Sequence, residues 1–151
     1  MLFAITVLHG ILAVALIAAL GWTALKLAGL STWGSTSGAA WASLISALLL
    51  NITGSYSYVF YRLRDPGTPR SIILETEPWV HRILFESMEY VGLIIPIMIA
   101  VATAAIVIYR RQLLERVPLR GQISRIVYVT IFLVLLMAIA GFIPSSIAMV
   151  K

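Results

Sequence analysis

Val91 to Tyr109, VGLIIPIMIAVATAAIVIY, runs nineteen residues without a charge and stops at Arg110-Arg111. A helix crosses the hydrocarbon core of a bilayer in about 20 apolar residues. Such a stretch must close its own backbone hydrogen bonds, which in lipid only a helix or a sealed barrel can do. It therefore reads as a transmembrane helix. Three further apolar stretches flank it, and the spacing predicts spans at about 2–30, 39–62, 77–110 and 126–147. The expectation is an all-α integral membrane four-helix up-down bundle, one domain over residues 1–151, with a long third helix kinked at Pro96.

Composition agrees. The chain is 61% hydrophobic and 11% charged, with mean hydropathy +1.01, whereas soluble domains carry about 25% charged residues. A net charge of +5 could suit nucleic acid, but most of the basic residues sit in short connections, where they anchor helices. The partners implied are the lipid bilayer and other membrane subunits, not nucleic acid. The absence of cysteine excludes disulfides, iron–sulfur ligation and thiolate haem ligation. Met1 to Trp22 has no basic residue before its apolar run, so it reads as a retained first span and not as a cleaved leader.

Within the spans, Gly10, Ala13, Ile17 and Gly21 share a stripe that predicts close helix approach. Residues 31–38, STWGSTSG, read as a turn. In the second span Asn51, Ser55, Tyr58 and Arg62 share a face, which should look into protein. The Asn51-Ile52-Thr53 sequon lies too deep for glycosylation. Residues 63–75 form the longest connection, turning at Asp65-Pro66-Gly67, with Thr76 as N-cap of the next helix and Pro78 in its first turn. Trp79 to Tyr90 is amphipathic and should stand above the hydrocarbon or against a partner. Residues 110–125 form a basic connection before the fourth span. Six basic residues (Lys26, Arg110, Arg111, Arg116, Arg120, Arg125) fall on one side and five on the other. The dense third connection predicts that side as cytoplasmic, with both termini periplasmic or external in a plasma (inner) membrane.

His9 and His81 are the only histidines. Each lies near the start of an odd-numbered helix, so both approach the same membrane face, and in an up-down bundle these helices are diagonal. Two histidines on facing helices suit a low-spin haem b, whose iron takes one imidazole on each side. His81, Phe85, Met88, Gly92 and Ile95 form one stripe, and Gly54 leaves room on the second helix. Tyr58, Tyr61 and Arg62 are placed to meet propionates. Depth argues against the pair: counted from the basic end, His81 stands eight residues higher than His9, about 12 Å. Met88 matches His9 better and is the alternative ligand.

Arg82, Glu86 and Glu89 make a polar face that is either internally compensated or a proton relay or quinone-site carboxylate. Nucleotide-binding and hydrolase motifs are absent from the sequence.

Tyr58–Asp65, YVFYRLRD, together with Pro78–Gly92, PWVHRILFESMEYVG, resembles small four-span membrane proteins with paired histidines, loosely grouped with b-type cytochromes. That resemblance implies haem b carried by His81 and a first-span histidine, here His9. The leading expectation is a non-catalytic, cytochrome-like electron-transfer subunit of a larger redox complex, with a quinone or a partner's cofactor exchanging electrons. The alternative is a cofactor-free accessory subunit. A third is a proton or ion translocator using Glu86 and Glu89.

Overall fold

The computed structural model describes residues 2–29, 33–63 and 68–149. Its elements are α1 (Leu2–Ala28), α2 (Trp33–Tyr61), a short α3 (Pro69–Thr76), a π-helical segment Val80–Phe85, α4 (Glu86–Ile108), a short α5 (Arg110–Glu115) and α6 (Val117–Met149). Four stretches are long and apolar enough to cross a membrane: Ala4–Ala28, Thr36–Tyr61, Val80–Ile108 and Val117–Ile143. Among the described residues there is no strand. The protein is an all-helical, multi-pass membrane bundle, as its hydropathy predicts.

The long helices close a ring in which α1 packs on α2, α2 on α4, α4 on α6 and α6 back on α1. Helices α1 and α4 are therefore diagonal. Toward the basic connections the ring closes on an apolar core of Leu16, Leu20, Leu27, Ile99 and Ile106, with Ala24, Ala40, Ala47 and Ala102 keeping helices close. Hydroxyls buried here cost little, because Thr23, Ser43 and Thr130 donate to the carbonyls of Ala19, Ala39 and Ile126 on their own helices, at 2.9, 2.9 and 2.8 Å. Thr103 reaches across to the Ala40 carbonyl at 3.2 Å.

At the other end the core is aromatic. Tyr61, Ile73 and Val80 are buried there, with Tyr58, Leu84, Phe85 and Ile143 packed around them.

Several boundaries differ from the sequence expectation. Helix α2 begins at Trp33, so most of 31–38 is helical and not a turn; the first and second spans need less connecting chain than its Ser, Thr and Gly content suggests. The 63–75 connection contains α3, and Thr76 ends that helix, donating to the Ile72 carbonyl at 2.7 Å, where an N-cap was expected. The break falls at Glu77, whose carboxylate accepts the Trp79 indole N–H at 2.7 Å. The fourth span starts at Val117, not Ile126, because Pro118 fits a first helical turn and Gly121 does not stop it. The Gly10–Gly21 stripe does not form the close contact expected of it. An added Cβ at Gly10 or at Gly21 meets nothing within 4 Å, and the buried side of α1 is instead Leu16, Leu20, Thr23, Ala24 and Leu27. The Asp65-Pro66-Gly67 turn lies outside the described residues.

Pro96 sits inside α4. Proline has no N–H, so the carbonyl four residues earlier, that of Gly92, loses its helical donor. Asn51 of α2 supplies the replacement, its Nδ2 donating to the Gly92 oxygen at 2.8 Å. The polar residue in one span and the proline in another thus answer each other.

Candidate functional site

Nearly all cross-helix polar contacts of the tyrosine-rich end originate on α2. Helix α2 enters this end with two adjacent stripes. Thr53, Ser57 and Tyr61 recur every four residues and so lie along one side; Tyr58 and Arg62 form the neighbouring side. Each stripe meets different partners.

His9 of α1 lies over the first stripe. Its Nδ1 is 3.0 Å from Thr53 Oγ1, and an added Cβ on Gly54 would come within 3.0 Å of His9 Cε1. The Thr53 hydroxyl proton is already directed at the Leu49 and Leu50 carbonyls, at 3.1 and 3.0 Å. Thr53 is therefore the acceptor, His9 donates from Nδ1–H, and Nε2 is the ring atom left to take another partner. Gly54 supplies room, but for the imidazole itself.

His81, in the π-helical segment, meets the far end of the same stripe. Its Nδ1 is 2.9 Å from the Tyr61 hydroxyl. The wide i→i+5 turn keeps His81 and Phe85 on one side, where the Phe85 ring stacks on Tyr61 at 4.0 Å between centroids and 10° between planes. Arg70 of α3 acts electrostatically on both Tyr61 and His81, so the short helix lends its charge to this end.

On the second stripe Tyr58 donates to Glu89, whose carboxylate also lies 3.5 Å from an Arg62 nitrogen. Arg62 Nε donates to the Tyr58 hydroxyl at 2.8 Å, and its guanidinium lies 5.0 Å over that ring. The Arg62 side chain is 61% exposed, so solvent or headgroups screen the ion pair and its worth is modest. Arg62 and Tyr58, expected beside haem propionates, are held by Glu89. Glu86, expected beside Glu89, is exposed. Of the sequence face Asn51–Ser55–Tyr58–Arg62, Asn51 holds Gly92, Tyr58 and Arg62 hold Glu89, and Ser55 is exposed.

The geometry does not bring His9 and His81 together. Their partners Thr53 and Tyr61 are eight residues apart on α2, about 12 Å along the axis. One iron needs both imidazoles at one level. One haem ligated by both histidines does not fit this spacing, and the aromatic wall beside His81 is filled by Tyr61 on Phe85. Met88 is half-buried. Gly92, on the same stripe, faces Met137 of α6 and would place a Cβ 3.8 Å from Met137 Cε. Because Asn51 marks the Gly92 level and Thr53 is only two residues further on, His9 lies within about one turn of the Met88–Gly92 level. Among the described residues no three His, Asp or Glu cluster to hold a metal ion.

The sequence does not single out Thr53 as the partner of His9, the buried Ser57, or the stacking of Tyr61 on Phe85. Thr53, Ser57 and Tyr61 are spaced by four residues, but that spacing alone does not say which helix the stripe meets. No protein-family model, curated protein or solved structure matches the chain.

Proposed function

We propose that this chain is a non-catalytic subunit of a multi-component membrane assembly, docking to another membrane protein through the outer face of the third span's N-terminal turns. One observation carries this reading. Trp79, Arg82, Ile83, Glu86 and Tyr90 are all exposed there, so charges and large apolar groups share one outward surface. Ionisable residues facing lipid are costly unless a partner or an aqueous surface meets them. The polar groups facing inward, by contrast, are largely consumed by contacts within the chain. Positive-inside counting orients the basic connection to the cytoplasm and this docking end to the periplasm or exterior of a plasma membrane.

A photo-crosslinking residue at Ile83, compared with one at Ile139 on α6 in native membranes, tests the docking surface. Discrete protein-sized adducts from position 83 alone support it. Identical lipid-only products from both positions contradict it.

A second reading keeps haem b, with His9 as the ligand. It is favoured by the direction of the His9–Thr53 hydrogen bond, since haem-ligating histidines donate their other ring N–H and present the free nitrogen to iron. Met88, near the same level, would be the second ligand, and the group would supply one-electron transfer to a quinone or a neighbouring cofactor. A reduced-minus-oxidised spectrum of protein made with haem available decides between the readings. A band near about 560 nm lost in His9→Ala and Met88→Leu but kept in His81→Ala supports the second. No Soret absorption removes it.

A further inference from the structure

Ser57 Oγ is the one buried side-chain polar atom that finds no hydrogen-bond partner among the described residues. Thr23, Ser43, Thr53 and Thr130 each donate to a carbonyl of their own helix, so a serine in a span has an easy internal solution. Ser57 does not take it. It also stands midway along the Thr53–Ser57–Tyr61 stripe, one turn from the His9–Thr53 pair and one turn from the Tyr61–His81 pair. Each four-residue step rises about 6 Å. That is about the reach of two hydrogen bonds of 2.8 Å in series, the gap a single water closes. Buried waters sit where otherwise unsatisfied polar groups converge.

We propose that Ser57 anchors internal water that joins the two histidine pairs into one hydrogen-bonded ladder, giving His9 a proton route to the membrane surface at the His81 end. The ladder runs His81, Tyr61, water, Ser57, water, His9. A proton taken up at His81 Nε2 releases the Nδ1 proton to the Tyr61 oxygen. Tyr61 passes its own hydroxyl proton to a water on its side of Ser57, and that water passes one to the Ser57 oxygen. Ser57 passes its own proton to a second water, and that water passes one to His9 Nε2. One proton has moved from the surface to His9, and every intermediate group ends with the protons it began with. His9 then carries both ring protons, still donating from Nδ1 to Thr53. The charged groups around the entrance are Arg62, Arg70, Arg82 and Glu86, which all act on His81, with Glu89 held by Tyr58 and Arg62. The route ends at His9. In the basic half Thr23, Ser43, Thr103 and Thr130 donate to backbone carbonyls, and among the described residues no titratable side chain is buried there. The ladder therefore delivers protons to His9 without crossing the membrane.

Water-edited solid-state NMR of the full chain in lipid bilayers tests this. Magnetisation from water should reach Ser57 and the His9 ring several-fold faster than it reaches Ala47 in the apolar core. Ser57→Val, which fills the space without a hydrogen-bonding group, should slow transfer to His9 several-fold while the Tyr61–His81 contact persists. Build-up at Ser57 as slow as at Ala47 in the unaltered protein overturns the proposal. So does an unchanged His9 rate in Ser57→Val. The first of these comparisons needs no variant, so it stands even where Ser57→Val does not fold.

Discussion

The two halves of this bundle bury polar groups by opposite means. In the basic half, threonine and serine hydroxyls mostly return to the backbone of their own helices, and close packing of Leu, Ile and Ala carries the contact between spans. In the tyrosine half, side chains reach across: His9 to Thr53, Asn51 to Gly92, Tyr58 to Glu89, Tyr61 to His81. The first half is held by the fit of its apolar side chains. The second is held by directed bonds that are individually weak in a membrane and can exchange partners. Function is therefore expected in the second half and stability in the first.

The largest expected effect breaks the packed half. Leu20 is 2% exposed, and Leu20→Ala should cost about 2 kcal/mol of unfolding free energy in mixed micelles, the low end for such truncations because lipid removes the water-transfer part. A smaller effect sharpens the contrast in the directed half. Asn51→Leu leaves the Gly92 carbonyl without a donor and should cost about 1 kcal/mol. In a Pro96→Ala background, where residue 96 regains its N–H for Gly92, the same substitution should cost close to nothing. A full Asn51→Leu penalty in that background would show that the asparagine does something other than replace the missing N–H.

Tyr58→Phe should cost only about 0.5 kcal/mol, since the Arg62–Glu89 pair it supports is solvent-exposed on the arginine side. Smallest in energy is Gly54→Ala. The new methyl would lie 3.0 Å from His9 Cε1, so the ring must move. The expected outcome is a few tenths of a kcal/mol with a clear shift of the His9 ring resonances. Unmoved His9 resonances would show that the imidazole does not lie over Gly54.

How much of this was legible in the sequence follows the same division. Hydropathy alone gives the four spans, because lipid penalises every charge and every open carbonyl, leaving little freedom in where a span lies. Ends of helices were less legible. Residues such as Gly38, Ser37 and Gly121 mark turns in water, yet here they lie inside helices, Gly38 and Gly121 on exposed sides, so α2 and α6 start earlier than their composition suggests. In the polar half, the sequence points to the histidines, tyrosines and charged residues but not to their pairings. Helical periodicity says which residues share a stripe; it does not say which neighbouring helix that stripe meets. Arg62 and Tyr58, which the sequence places beside a haem, bind Glu89, while Tyr61 meets His81. Counting residues from the basic end did foresee that His9 and His81 stand at different depths.

That separation is the central claim: each histidine belongs to its own hydroxyl on α2, and the two do not share a ligand. Through-space carbon–nitrogen correlation by solid-state NMR, with histidine, threonine and tyrosine labelled in bilayer-embedded protein, tests it directly. The account predicts cross-peaks linking His9 with Thr53 and His81 with Tyr61, and none between the two imidazoles. A His9–His81 ring correlation, or the loss of both hydroxyl partners when haem is added, would contradict it.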